Sequence, residues 1–305
     1  MNRLLRQFAG TLGTALAVVV TVFLLVRLVP GDPVEVMLGE RASAADRAAL
    51  IAALGLDRPL PVQLGDYLAG LARLSLGDSL HYHQPVSTLI AARLPATLQL
   101  AGAALALALV LALPLGVAMA VRAGRVAGRL AGALTLAGMA LPGFWFGPLL
   151  ILLFAVQLGW LPVAGRSGLA SLLLPALTLA LGLASVLARQ LAANLSETLT
   201  ADHWRTARAK GLPPAQVLWR HGVRNALLPV ATVFGLQVGA LLGGAVITET
   251  VFAWPGLGAL TVEAISTRDY PLLQGCVLLI ATVYVLVNGL TELAYGWIDP
   301  RVRLP

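Results

Sequence analysis

Residues Thr97 to Val121 read TLQLAGAALALALVLALPLGVAMAV, twenty-five residues without one charged side chain. A helix rises 1.5 Å per residue and a bilayer's hydrocarbon core is ~30 Å thick, so about 20 apolar residues suffice to cross it. Five further runs of this kind follow the same pattern, at about 8–29, 130–158, 172–190, 228–248 and 275–297. The sequence therefore predicts an all-α integral membrane protein with six transmembrane helices. Pro114, Pro142 and Pro148 lie inside the second and third runs and predict kinks there.

Composition agrees with lipid as the main solvent. Of 305 residues, 58% are hydrophobic and 11% charged, with mean hydropathy +0.85, whereas soluble domains carry about 25% charged residues. The net charge of +7 does not point to nucleic acid, because the basic residues sit in short loops rather than along one face. Cys276 is the single cysteine and lies in an apolar run, which excludes an intrachain disulfide and a cysteine metal cluster. The N-terminus imitates a signal peptide, with Arg3 and Arg6 before Phe8–Val26. That apolar stretch is too long for such a signal and no A-x-A site follows, so a retained first helix is expected.

Loop charges set the orientation. Arg3 and Arg6, then Arg122, Arg125 and Arg129, then Arg205, Arg208, Lys210, Arg220 and Arg224, then Arg301 and Arg303 fall on one side; the opposite short loops carry only Arg166 and Arg268. Both termini are expected in the cytoplasm. The other face receives a segment at 30–96 with seven carboxylates and five arginines. Within it Arg41–Leu54 reads as a short helix, and Pro59, Pro61 and the Gly-Asp pairs read as turns. A second outer loop, Glu249–Leu273, contains Trp254-Pro255-Gly256-Leu257-Gly258 and reads either as an interfacial anchor at Trp254 or as a rigid loop entering a pathway. Gly235, Gly239 and Gly243 recur every four residues, suited to close helix packing within the chain or between subunits.

The island Asp202–Pro229, DHWRTARAKGLPPAQVLWRHGVRNALLP, is more structured than topology requires. Asp202 suits an N-cap for a helix over His203–Lys210, and Gly211 suits its left-handed end. Arg208 and Lys210 suit the last turn, and Pro213-Pro214 the first turn of a second short helix. Such a loop suggests that something docks on it.

Several chemistries lack their residues. A Walker A loop needs Gly-Lys before Ser or Thr, but the sole lysine, Lys210, follows Ala209, so ATP is not bound by that device. His81 and His83 flank Tyr82 in a solvated loop and read as loop residues rather than as metal ligands. Gly165-Arg166-Ser167-Gly168 matches the G-x-S-G pattern of intramembrane serine proteases, but no histidine lies in any apolar run to serve as the base. That motif reads better as a turn. No run has a central ionisable residue, which argues against coupling through a buried titrating group. Gln99, Gln237 and Asn288 supply a sparse polar lining, and with Glu249 and Trp254 they are the candidate pathway residues. The pattern is that of a pore driven from elsewhere.

Arg205-Thr206-Ala207-Arg208-Ala209-Lys210-Gly211 resembles the cytoplasmic coupling motif of ABC importer permeases. Arg27-Leu28-Val29-Pro30-Gly31-Asp32-Pro33, Arg93-Leu94-Pro95-Ala96-Thr97, Glu249–Gly258, Arg268-Asp269-Tyr270-Pro271 and Asp299-Pro300-Arg301 extend the likeness over the whole chain, which resembles the peptide/nickel branch, dipeptide and oligopeptide permease B type. The resemblance implies a first transmembrane helix at 1–29, an extracytoplasmic segment at 30–96, a five-helix permease core at 97–297 with cytoplasmic coupling helices at 202–227, and a cytoplasmic tail at 298–305. It implies a non-catalytic inner-membrane subunit that pairs with a second permease, two cytoplasmic ATPases carrying ATP and magnesium, and an extracytoplasmic solute-binding protein. The chain itself would bind no cofactor and no metal. Asp202, Arg205, Thr206, Ala207, Lys210 and Gly211 would form the contact with the ATPase. The family's leading glutamate is replaced by Arg205, so an acidic partner on the ATPase is the expectation at that position. Peptides are the implied cargo, with nickel, glutathione or another small solute as the alternative.

Overall fold

Helices make up almost all of the regular structure, as they must where no water is present to satisfy backbone N–H and C=O groups. The computed structural model describes residues 13, 16–24, 34, 43–53 and 55–298. In chain order the helices are α1 (Ala44–Ala53), α2 (Leu60–Ala72), α3 (Val86–Val121), α4 (Val126–Ala140), α5 (Gly143–Leu150), α6 (Leu169–Thr198), α7 (Asp202–Ala209), α8 (Pro214–Val217), α9 (Arg224–Val251), α10 (Leu257–Ser266) and α11 (Tyr270–Ile298). Wider π-helical turns at Ile151–Gln157 and Leu218–Val223 continue α5 and α8. The chain divides into two compact units, Met1–Thr97 with Pro255–Val285 and Leu98–Trp254 with Leu286–Pro305.

Four helical stretches among the described residues are long and apolar enough to cross a membrane: Val86–Val121, Leu169–Thr198, Pro214–Leu241 and Tyr270–Thr291. The expected first span, 8–29, lies mostly outside the described residues, of which 16–24 are helical. The expected span at 130–158 is broken. α4 and the α5 stretch, Val126–Ala140 and Gly143–Gln157, are bent by 110°. The cause is local: Leu141 precedes a proline and is extended (φ −83°, ψ 116°), and Pro142 then starts a new helix as its cap. Pro114, by contrast, leaves α3 uninterrupted.

The second unit is organised around α6. Its Ala180, Leu183, Ala184, Leu187, Ala188 and Leu191 are buried against alanines 101, 104, 108 and 112 of α3 and against Val223, Ala226 and Val230. Small residues are needed here because lipid tails are as apolar as leucine, so association rests on close backbone approach. A Cβ at Gly116 would lie 2.8 Å from the Ala188 carbonyl oxygen. The glycine stripe of α9 is used unequally: Gly235 faces Thr291 with no room for a Cβ, while Gly243 faces open space.

The first unit departs from the expected turns. Ser43 caps α1, its hydroxyl accepting from the Asp46 N–H at 3.1 Å. Pro59 and Pro61 start α2 rather than forming turns, since proline suits a first helical turn, and Gly65-Asp66 lies inside that helix. Gly77 has φ +78°, but Asp78 is not in a turn: it forms an antiparallel bridge with Pro85, and the chain turns at 80–82. The segment 249–273, expected as an outer loop, carries α10, whose first N–H, Leu257, donates to the buried Thr97 hydroxyl at 2.7 Å.

Asp269 holds this unit together. It is fully buried and caps α11, with Oδ1 accepting from the Leu272 N–H at 3.1 Å and Oδ2 accepting from the Ser79 hydroxyl at 2.5 Å and the His81 N–H at 3.1 Å. Beside it the Tyr82 hydroxyl donates to Glu263. That hydrogen bond, with desolvation and the carboxylate's charge, raises the Tyr82 phenol above its ordinary value of 10.0, while Arg93 opposes the shift. A raised folded value means the contribution is fully present below pH ~10 and is lost as pH climbs through the folded value. Glu263→Gln keeps an acceptor and removes the charge, so the phenolate absorbance of Tyr82 is expected at lower pH than in the parent protein. An unchanged titration would assign the shift to burial instead.

Candidate functional site

The island 202–229 is one short helix followed by the start of a long one. α7 begins at Asp202 with Ala201 as its cap (φ −72°, ψ 153°), so Asp202 occupies the first turn and not the cap position expected from the sequence. Ala201 is extended and Asp202 already helical, and an acid in the first turn still favours the helix dipole. Lys210 lies just past the helix as its C-cap, and Gly211 turns the chain at φ +73°, donating its N–H to the Arg208 carbonyl at 3.0 Å. The second helix is not short: Pro214 opens it, and right-handed backbone continues through the junctions at Val217–Leu218 and Val223–Arg224 into α9. No proline recurs before Pro229, so nothing stops it.

α7 is seated by two residues one helical turn apart. Ala207 is buried and Trp204 half-buried, whereas Asp202, Arg205, Thr206, Arg208 and Lys210 are exposed. Trp204 lies over Gly222, where an added Cβ would stand 3.1 Å from the indole and 3.2 Å from Leu195. Asn225 ties the two helices further, meeting His203 at 3.4 Å and donating to the His221 carbonyl at 2.9 Å. Thr206 donates to the Asp202 carbonyl at 3.0 Å. Arg205 has an intrahelical acid, Asp202, at 3.7 Å, but both side chains are largely in solvent, and exposed pairs of this kind hold weakly. Trp204 and Gly222 were missed from the sequence; the three-residue spacing of Trp204 and Ala207 was the available signal.

The candidate pathway residues divide. Gln99 accepts from the Arg166 Nε–H at 2.9 Å, and the Arg166 guanidinium lies over the Trp254 ring, 6.0 Å from its centre. Glu249 is joined to this group through its carbonyl, which accepts from the Trp254 N–H at 2.8 Å. Trp254 and Glu249 are fully buried, so Trp254 is not an interfacial anchor. Gln237 and Asn288 are half-buried and make no hydrogen bond to the cluster; the Asn288 carbonyl oxygen is buried without a partner among the described residues. A cleft of about 240 Å³ opens in the bend between α4 and α5, lined by Gly138, Leu141, Phe144, Phe146, Thr178 and Ile247, and contains none of these five.

Gly165-Arg166-Ser167-Gly168 forms the entry to α6. Gly165 and Gly168 have φ +86° and +126°, and the Ser167 N–H donates to Ser171 Oγ at 3.0 Å. His81 makes an edge-on contact with Tyr82 at 5.0 Å and gives its backbone N–H to Asp269.

Residues 112–304 match the family model described as binding-protein-dependent transport system inner membrane component, and residues 1–101 match the model of its N-terminal part. The chain is 42% identical to the di/tripeptide transport system permease protein DppB of Pseudomonas aeruginosa, over 98% of this chain and 97% of that protein. It is 40% identical to the glutathione transport system permease protein GsiC of Pectobacterium atrosepticum, over 99% of each. The fold is similar to that in a crystal structure of an amino acid ABC transporter with histidines, with a TM-score of 0.53 and 15% identity over 70% of this chain and 94% of that one. This chain belongs to the binding-protein-dependent transport system inner membrane components, the permease subunits of ABC transporters, in their peptide/nickel branch.

Proposed function

We infer that this chain is half of the translocation pathway of an ATP-driven importer for di- and oligopeptides. It pairs with a second permease, two cytoplasmic ATPases that carry ATP and magnesium, and an extracytoplasmic binding protein, and itself performs no catalysis. Six spans with both termini in the cytoplasm agree with the arginine distribution, which puts 202–229 on the ATPase side. The observation that carries the reading is α7, a helix with Ala207 buried and Trp204 seated over Gly222 in the π-helical stretch Leu218–Val223, presenting Arg205, Thr206, Arg208 and Lys210 to solvent. A groove on an ATPase would receive that face together with Asp202 and Gly211, and Arg205 would meet an acid there. Glutathione is the second reading, favoured by the 40% identical glutathione permease.

The test is to co-purify the chain with its partner subunits, reconstitute the assembly in proteoliposomes, and measure ATP-dependent uptake of a dipeptide panel and of glutathione. Uptake of dipeptides above glutathione is the expected result, with Arg205→Glu weakening ATPase retention. Solute movement by the permease alone without ATP would reject the reading. Full ATPase retention by the Arg205→Glu protein would remove the charge pair only.

A further inference from the structure

Arg166 is an exposed cation whose position is set by its neighbours rather than by solvent. Its turn has a left-handed glycine on each side at 165 and 168, and the Gly165 N–H is bonded to the Phe252 carbonyl at 2.9 Å, so the backbone is anchored to the end of α9. Its side chain is fixed twice more, by Gln99 at 2.9 Å and by the face of the fully buried Trp254 at 6.0 Å. Only Nε is used in the bond to Gln99. The two terminal nitrogens meet no carboxylate among the described residues, so the guanidinium keeps the paired donors that match a carboxylate in a two-point fork. An arginine needed only for orientation would not require a glutamine, an indole and two glycines to hold it.

We propose that Arg166 receives the free carboxylate of the transported peptide on the outer side of the membrane. This rests on the peptide-import reading. Di- and tripeptides and glutathione, the solutes named for the two relatives of nearly equal similarity, share a terminal carboxylate whatever their side chains. A receptor for that group serves such cargo without reading its sequence. The carboxylate accepts the two terminal N–H groups side by side, and Gln99 and Trp254 act as positioning residues that reduce the cost of ordering the long side chain.

The complete importer in proteoliposomes tests this with dialanine as cargo, comparing the parent protein with Arg166→Gln and Arg166→Lys. Two quantities are read: dialanine uptake, and the affinity of the assembly for the binding protein without cargo. Arg166→Gln is expected to lower uptake about tenfold at low dialanine and to leave that affinity unchanged. Arg166→Lys should recover part of the loss, as a point charge without the fork. Unchanged uptake in Arg166→Gln overturns the proposal. So does an equal fall in affinity for the empty binding protein, which would make Arg166 a docking residue. Absence of dialanine uptake by the parent assembly, with glutathione tested alongside, counts against the dipeptide reading and moves the same comparison to glutathione.

Discussion

Gly222→Leu is expected to reduce ATP-coupled uptake by at least tenfold while the protein still inserts and assembles. The glycine lies under Trp204, and even a Cβ there would be within 3.1 Å of the indole and 3.2 Å of Leu195. Three more heavy atoms cannot fit without displacing α7, and overpacking of this kind costs about 1–3 kcal/mol. Because that cost falls on a contact between a short amphipathic helix and the π-helical stretch Leu218–Val223 that leads into α9, the displaced part is α7, the smaller partner. Its exposed arginines would then no longer hold the position from which an ATPase could push. Trp204→Ala loosens the same seat by removing the anchor and should act in the same direction. Gly243→Ala is the control, since nothing lies within 4 Å of a Cβ at that position. Normal coupled uptake with Gly222→Leu would mean that the seat of α7 carries no mechanical load.

Asp269→Ala is expected to destabilise the first unit by on the order of 3–5 kcal/mol, the sum of a lost helix cap and of buried donors left without an acceptor. Three donors converge on this carboxylate: the Leu272 N–H from its own helix, and the Ser79 hydroxyl and His81 N–H from the segment before α3. Water cannot replace the acceptor, because the side chain is fully buried. Asp269→Asn keeps one amide oxygen for the Leu272 N–H and turns an NH₂ toward Ser79, whose hydroxyl can accept, but takes the acceptor from the His81 N–H, so its loss should be smaller than that of alanine without vanishing. Thermal unfolding of the two purified variants checks the order. Equal losses for alanine and asparagine would show that the cap to Leu272 contributes little and that the loss comes from the contacts to Ser79 and His81.

Much of this was legible in one dimension. Apolar run length alone located α3, α6, α9 and α11, because a bilayer imposes a minimum length that no soluble helix has to meet. The last helix begins at Tyr270, before the apolar run at 275–297, because Asp269 caps it and Pro271 fits its first turn. Gly211 and Pro214 marked the end of α7 and the beginning of the next helix correctly. Local chemistry fails where two local signals compete. Asp202 is a good cap, but Ala201 took that place, and Pro59 reads equally as a turn or as a helix start.

What the sequence by itself determined is the class of solvent, the helical form and the absence of a Walker A nucleotide site, since each follows from residue type and run length. The resemblance of short motifs added the family. Only the tertiary structure decided which residues meet across long stretches of chain. It brought Gln99, Arg166 and Trp254 into one cluster, set Trp204 on Gly222, and joined Ser79 and His81 to Asp269. Such contacts depend on how closely two helices approach and at what angle, and that distance is set by every small residue along both of them. No single stretch contains that information, which is why Gly235 turned out to be packed and Gly243 open although they belong to one repeating pattern.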